Sequence, residues 1–97
     1  SYADPGLKLA RAIRSGTLTY YKRNRIFPRV IVLQNHGIIT IGATANAVLA
    51  AMMMTEKAAS IWIGAAIFGG PTFLSKAQVH RIASRRDEEV RRREMKL

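Results

Sequence analysis

The sequence has 97 residues, 48% of them hydrophobic, and a formal net charge of +10. This length allows one small domain, and the apolar share argues against wholesale disorder. The sequence contains no cysteine, which excludes disulfide frameworks, thiolate zinc sites and cysteine nucleophiles and leads us to expect a cytoplasmic protein. The positive charge lies at the two ends of the sequence. Residues 1–29 hold seven Lys/Arg and one acid, whereas the middle segment, residues 30–80, holds only two Lys/Arg and one acid.

The first predicted element is a helix that begins at Asp4 and Pro5. Asp is a common capping residue, and Pro fits the first turn because its missing N–H has no partner there. Gly16 weakens the helix, but we expect it to continue to about Asn24. Pro28 then blocks further helix and leads into a strand. The apolar residues recur at helical spacing: Leu7, Ala10, Ile13, Thr17 and Tyr20 or Tyr21.

Residues 30–40, VIVLQNHGIIT, predict two short strands. The first covers Val30–Leu33, Gly37 permits a turn, and the second strand ends at Gly42. Both runs are rich in Val and Ile, which is typical of strands buried on both faces. The polar cluster between them is the unusual feature, because it places a histidine at the end of an apolar strand.

A long helix is predicted from Thr44, as its cap, to about Phe68, where the segment GGP at 69–71 ends it. Its polar residues form a narrow stripe, so we expect burial on more than one side. Few other elements are available to cover it, which predicts association with further chain or with a second copy. The uncharged stretch 58–75 is about long enough to span a bilayer, but GGP interrupts it and we expect no membrane partner.

The last predicted helix opens at Ser75, which forms a capping box with Gln78. It runs into the charged segment RRDEEVRRREMKL, where Glu89 and Arg93 are spaced for an ion pair. We therefore interpret residues 84–97 as a solvated, charge-paired helix end or tail.

His36 is the strongest candidate for chemistry. A histidine between Asn and Gly at a strand end can project its ring into a crevice, and neutral imidazole is the commonest metal ligand in proteins. A zinc site needs at least two further protein ligands, so the residues alone leave an ordinary hydrogen-bonded histidine as an alternative. The other histidine, His80, lies in a charged helix and is interpreted as a surface residue.

Several other residues are weaker candidates. Glu56 stands in an apolar helix and could act as a base, but an ion pair with a neighbouring Lys or Arg is the preferred interpretation. Met52, Met53 and Met54 are adjacent and therefore point in different directions, as expected of core or interface residues; Trp62 is assigned to the same role. The segment YYKRNR at 20–25 combines aromatic and basic residues, but no recognised nucleic-acid motif surrounds it.

Four segments in order resemble the class II aldolase/adducin family: YADPGLKLARAI, VIVLQNHGIITIG, EKAASIWIGAAIFGGPTFLS and RIASRRDEEVRRR. The resemblance covers nearly the whole chain and is to the C-terminal half of the family domain. LQNHG with the following strand and Ala-rich helix is its most specific part, and the last two segments are similar to the sugar-aldolase branch.

The resemblance implies an α/β fold: the C-terminal part of an α/β/α layered domain, here a helix, a β-hairpin, a long helix and a C-terminal helix in one partial domain over residues 1–97. It also implies a divalent metal, usually zinc, held by three histidines, of which the one in the Asn-His-Gly segment corresponds to His36. The other two form a His-X-His pair in the N-terminal half of the domain, and the present sequence has no such pair.

We therefore expect a fragment of a metal-dependent aldolase acting on sugars or sugar phosphates, inactive and metal-free alone, which associates with further copies as family members do. Two alternatives remain from other classes: a non-catalytic, adducin-like assembly module and, less favoured, a basic nucleic-acid-binding module. Steep salt dependence of nucleic-acid binding would support the last.

Overall fold

The computed structural model describes residues 2–95, which divide between residues 41 and 42 into two compact units. Unit 1 ends at Ile41 and contains helix α1 (Leu7–Asn24) and strands β1 (Val30–Leu33) and β2 (Gly37–Thr40). Unit 2 begins at Gly42 and contains helices α2 (Ala45–Ile67), α3 (Lys76–Ala83) and α4 (Arg86–Glu94). The predicted mixed α/β class, with one helix and a hairpin before a long helix, is confirmed.

Helix α1 begins two residues later than the Asp4–Pro5 signal predicted. Gly6 is the N-cap, at φ 129°, and no side chain caps the helix, so the assignment of Asp4 as the cap is wrong. Gly6 accounts for the later start of the helix, because its φ lies in a non-helical region that residues with a Cβ rarely adopt. The predicted end at Asn24 is confirmed, and Arg25 follows in the left-handed conformation with its N–H bonded to the Tyr21 carbonyl.

The strands pair antiparallel, with Val30 opposite Thr40 and Leu33 opposite Gly37. The first strand has the predicted bounds, and the second ends at Thr40 rather than Gly42. The strands are half-buried for the most part, and Val32 is 73% exposed, so the expected burial on both faces is not found in this chain. Within unit 1, no other element packs extensively against the hairpin, which explains the exposed face.

In unit 2, α2 has the predicted cap and the predicted end. The Thr44 hydroxyl accepts a hydrogen bond from the Ala47 N–H at 3.1 Å, and the chain leaves the helix through Gly69 and Gly70, both at positive φ. Ala47 and Ala51 are its only buried residues, so the described residues do not by themselves provide the predicted burial on more than one side. Most of the large apolar side chains of α2 are exposed.

The predicted single C-terminal helix is in fact two helices, α3 and α4, separated at Ser84 and Arg85. The Ser75–Gln78 capping box that opens α3 is present in full. The break has local causes: the Ser84 hydroxyl donates to the Arg81 carbonyl at 3.3 Å, and Arg85 adopts an extended conformation as the cap of α4. Serine side chains compete with the helix ladder in this way, and the acids of the first turn favour a new helix N-terminus there.

Candidate functional site

His36 lies in the loop of the β-hairpin, and this loop turns one residue earlier than predicted. The His36 N–H donates to the Leu33 carbonyl at 3.1 Å, which closes a turn over residues 33–36. Asn35, the third residue of the turn, has φ 59°, and Gly37, at φ 138°, begins β2. A turn with a positive φ at its third position favours Gly or Asn, so Asn35 is explained by backbone geometry. The loop holds His36 at the end of the sheet.

Two contacts from the N-terminal segment hold the His36 ring. Its Nε2 lies 2.7 Å from the carbonyl oxygen of Ala3. The ring of Tyr2 stacks on the imidazole, with 5.0 Å between the ring centroids and 5° between the planes. Ala3 is buried, whereas Tyr2 is 46% exposed. Two residues more than 30 positions earlier in the sequence therefore fix the orientation of this histidine.

The hydrogen bond to Ala3 determines which ring nitrogen carries a proton. A carbonyl oxygen can only accept, so Nε2 must be the donor. When His36 is neutral, the lone pair is therefore on Nδ1, and Nδ1 is the nitrogen available to accept a proton or bind a metal. A metal at Nε2 would first have to displace the Ala3 carbonyl.

His36 borders a groove of about 430 Å³ between one face of α1 and the hairpin of unit 1. The groove is open and largely apolar, and its polar side chains are few. Gln34 and His36 lie at the loop end, and Thr17 and Tyr20 come from α1. No carboxylate lines it. The remaining lining residues are Ala3, Leu9, Ala12, Ile13, Gly16, Pro28 and Val30–Leu33.

The donor atoms near His36 do not form a metal site. Over residues 2–95 there is no cluster of three or more His, Cys, Asp or Glu side chains that could hold an ion. A catalytic zinc takes three protein ligands and leaves one position for water or substrate. Zinc, which the sequence resemblance implies, therefore does not fit the described residues by themselves.

The other sequence candidates lie in unit 2. His80 is exposed near the end of α3, as predicted for a surface residue. Glu56 is exposed on α2, and the ion pair expected of it is not found among the described residues, whose salt bridges all lie between Arg85 and Arg93. Met52, Met53 and Met54 are exposed rather than buried in a core. Trp62 is also exposed, and its ring contacts that of Phe73 edge-on, with 5.1 Å between the ring centroids.

Ion pairs are concentrated in α4 and the residue before it. Arg85 binds Asp87 through two hydrogen bonds of 2.9 Å, while Glu88 pairs with Arg91 and Glu89 with Arg93. The hydrogen bonds from Arg85 lower the pKa of Asp87 below its ordinary value, and the same contact raises the pKa of Arg85. These groups are paired with one another and line no apolar cleft, which indicates a structural role.

Sequence reasoning missed the two residues that orient His36. Tyr2 and Ala3 belong to a segment that was interpreted only as a helix start. Ala3 acts through its backbone carbonyl, which has no signature in the sequence. Asn35 did carry a signal, because Asn before His-Gly is suited to a left-handed turn position.

Residues 1–63 match the family model described as Class II Aldolase and Adducin N-terminal domain. The match includes all of unit 1 and most of α2, and it ends before α3 and α4. Four helices and a two-stranded hairpin are consistent with part of that domain. The match does not distinguish the sugar aldolases from adducin. No curated protein and no solved structure matches the chain.

Proposed function

We propose that this chain, which belongs to the class II aldolase and adducin family, is part of a metal-dependent aldolase to which it supplies one metal-binding histidine, His36. The observation that carries the proposal is the placement of His36: it lies at a hairpin loop within the matched segment, with its ring oriented by Tyr2 and Ala3. An imidazole held in this way has a fixed tautomer and direction. Metal-binding histidines are commonly oriented by a hydrogen bond from their other ring nitrogen to a carbonyl.

The remaining ligands come from outside the described residues, because one imidazole cannot hold a zinc ion in a defined geometry. In the family that this sequence resembles, a His-X-His pair supplies them. A metal held by that pair together with His36 would supply Lewis-acid stabilisation of negative charge on the substrate. The contribution of this chain is to present His36 and to form one apolar wall beside it. The substrate class that we propose is a sugar or sugar phosphate, and the absence of cysteine supports a cytoplasmic location.

The chain alone is expected to lack aldolase activity. Retro-aldol cleavage needs a positioned acid or base to handle the hydroxyl proton. Three of the six acids, Asp87, Glu88 and Glu89, are paired with arginines, and no carboxylate lines the groove beside His36.

The test is a zinc-supplemented cleavage assay on a panel of ketose and aldonate phosphates. It is run on the 97-residue chain and on a longer protein that restores the upstream half of the family domain. We expect turnover only from the longer protein. Turnover by the 97-residue chain that disappears in His36→Ala would show a self-contained active site and contradict the proposal.

A second candidate function is a non-catalytic assembly module that resembles adducin. It is favoured by one observation, the exposed apolar surface of α2, on which Leu49, Met53, Ile63 and Ile67 are all at least 60% exposed. The same surface supports homo-oligomer formation under either function. The two functions differ in the metal: stoichiometric zinc in the longer protein supports the aldolase, and a longer protein that binds no zinc supports the assembly module.

No helix within residues 2–95 is long and apolar enough to cross a membrane.

A further inference from the structure

Helix α1 carries four basic side chains on the side opposite the groove, and a fifth, Arg25, follows directly as its C-cap. Successive residues of a helix are about 100° apart around its axis, which places the four helical ones within an arc of about 120°. The groove-lining residues of α1 are centred on the other side of the helix. All five basic residues are exposed. We call this surface the basic stripe; it consists of Lys8, Arg11, Arg14, Lys22 and Arg25.

No residue of the described chain neutralises the basic stripe. Its five side chains form no ion pair among residues 2–95, where the salt bridges are confined to Arg85–Arg93. Asp4 is the only acid in unit 1, and it precedes the helix. Helix α4 is the opposite case, because its acids hold Arg91 and Arg93. The stripe therefore presents about 26 Å of uncompensated positive charge along the helix axis.

An aromatic pair lies beside one end of the stripe. Tyr21 stacks on Phe27 with 4.6 Å between ring centroids and 21° between planes. Tyr21 is 37% and Phe27 58% exposed, which leaves ring surface accessible for a further stacking partner. Tyr21 lies one helical turn from Arg25, a residue of the stripe.

We infer that the basic stripe and the Tyr21–Phe27 pair bind single-stranded nucleic acid. A row of cations contacts successive phosphates, and aromatic rings stack on unpaired bases regardless of sequence. An anionic membrane is a poorer fit, because a helix on a membrane surface must insert its apolar face, and the apolar face of α1 lines the groove with the hairpin. The sequence alone did not favour nucleic acid; the unpaired stripe and the adjacent stacked pair are what the structure adds. The inference does not depend on the aldolase proposal.

The probe is a fluorescently labelled 20-nucleotide oligo(dT). Its fluorescence anisotropy is measured as the 97-residue chain is added, at salt concentrations between 50 and 200 mM. Five phosphate contacts predict a slope of log K against log salt of about −3.5, a loss of roughly a hundredfold over this range. Substituting Arg11, Arg14 and Lys22 with Gln should weaken binding at least about tenfold and reduce the slope to about −1.4. Tyr21→Ala should weaken binding with the slope unchanged, because stacking releases no counterions.

The matched control removes three charges from unit 2: Lys57, Lys76 and Arg86 are replaced by Gln. These residues are exposed and lie outside the stripe, so we expect less than about a threefold change. Circular dichroism of both triple variants checks that helix content is retained. Equal weakening by the two triple variants would show attraction to net charge alone and overturn the inference. Equal affinity for a polyglutamate of matched length would overturn the assignment to nucleic acid, as would a Tyr21→Ala variant that binds like the wild type.

Discussion

The two units use the same residue types in different ways. In unit 1, the five residues of the basic stripe have no carboxylate partner among residues 2–95, and the histidine is oriented by Tyr2 and Ala3, more than 30 positions earlier in the sequence. In unit 2, the salt bridges among the described residues join side chains within four positions of each other, as in the pair Glu89–Arg93. Arg92 reaches further, to the Ala83 carbonyl nine positions away, at 2.6 Å. In unit 2, Asp87, Glu88 and Glu89 thus offset three of the nearby arginines, whereas the basic stripe of unit 1 has no such partner among the described residues.

Apolar side chains are exposed in both units, but in different ways. In unit 1 the strands are largely half-buried and apolar side chains line the open groove beside His36, while α2 in unit 2 leaves most of its large apolar side chains exposed. Large exposed apolar patches of this kind mark interaction sites. We therefore propose chemistry for unit 1 and assembly for unit 2.

The largest expected effect concerns assembly through α2. Replacing Ile63 and Ile67 with Lys puts two charges on one face where each side chain is at least 69% exposed. Burial of one such side chain contributes about 1.5–3 kcal/mol, so the double variant should weaken self-association by about a hundredfold or more. Sedimentation velocity over a concentration series measures the change.

The control for that experiment replaces Asn46 and Ser60, on the polar stripe of α2, with Lys. It adds the same charge and should leave association within a few-fold of the wild type. A wild-type chain that remains monomeric at the highest concentration and binds no hydrophobic dye would contradict the assignment of assembly to unit 2.

The hairpin loop of unit 1 is expected to be sensitive to a single methyl group. Gly37 has φ 138° and nothing within 4 Å of an added Cβ, so Gly37→Ala introduces backbone strain without a clash. It should lower the free energy of unfolding by about 1–3 kcal/mol. Gly16→Ala, within α1 and also free of contacts, should instead raise it by about 0.5–1 kcal/mol. Urea unfolding followed by circular dichroism compares them, and a shift of the same sign in both variants would contradict the turn geometry.

The orientation of His36 predicts its tautomer. At pH 8, nitrogen NMR shifts of the 97-residue chain should show His36 with its proton on Nε2, because the Ala3 carbonyl accepts from that atom at 2.7 Å. His80, exposed on α3, provides the internal control and should show a mixture. Loss of the preference in a variant lacking residues 1–3 would confirm the cause, and a mixture at His36 in the intact chain would show that the contact is not maintained.

The smallest expected effect is the pH dependence of α4. The pKa of Asp87 is lowered in the folded chain, chiefly by hydrogen bonds from Arg85. A lowered pKa contributes stability that is present above the ordinary value and is lost as the pH falls through the folded value. Helix content should therefore decrease slightly below about pH 4, and Asp87→Asn should remove part of that decrease. A decrease that is equally large in the variant would assign it to Glu88 and Glu89 instead.

The success of sequence-based prediction follows the same division between the units. The Thr44 cap, the Ser75–Gln78 capping box and the Glu89–Arg93 pair were predictable because each depends on residues three or four apart. The break at Ser84 was missed, since it depends on a serine competing with the ladder at one position. The extent of α2 was predicted correctly, but not its exposure, because burial depends on which other elements cover a helix.

The site in unit 1 was only partly predictable. The resemblance identified His36, and family membership is confirmed over residues 1–63. The stacking of Tyr2 and the acceptor role of Ala3 depend on chain segments that meet only after folding. The assignment of His36 as a metal ligand stays a prediction, because a ligand set spread over several segments is not contained in one of them.

Bound zinc in the longer protein tests the central claim most directly. Metal content is measured by atomic emission after extensive dialysis for the wild type, His36→Ala and the control His80→Ala. If His36 is a ligand, the wild type and His80→Ala retain about one zinc per chain, and His36→Ala loses it, since a zinc site that lacks one of three protein ligands binds far more weakly. Full zinc content in His36→Ala would contradict the account, because the hairpin histidine would then contribute nothing to the metal.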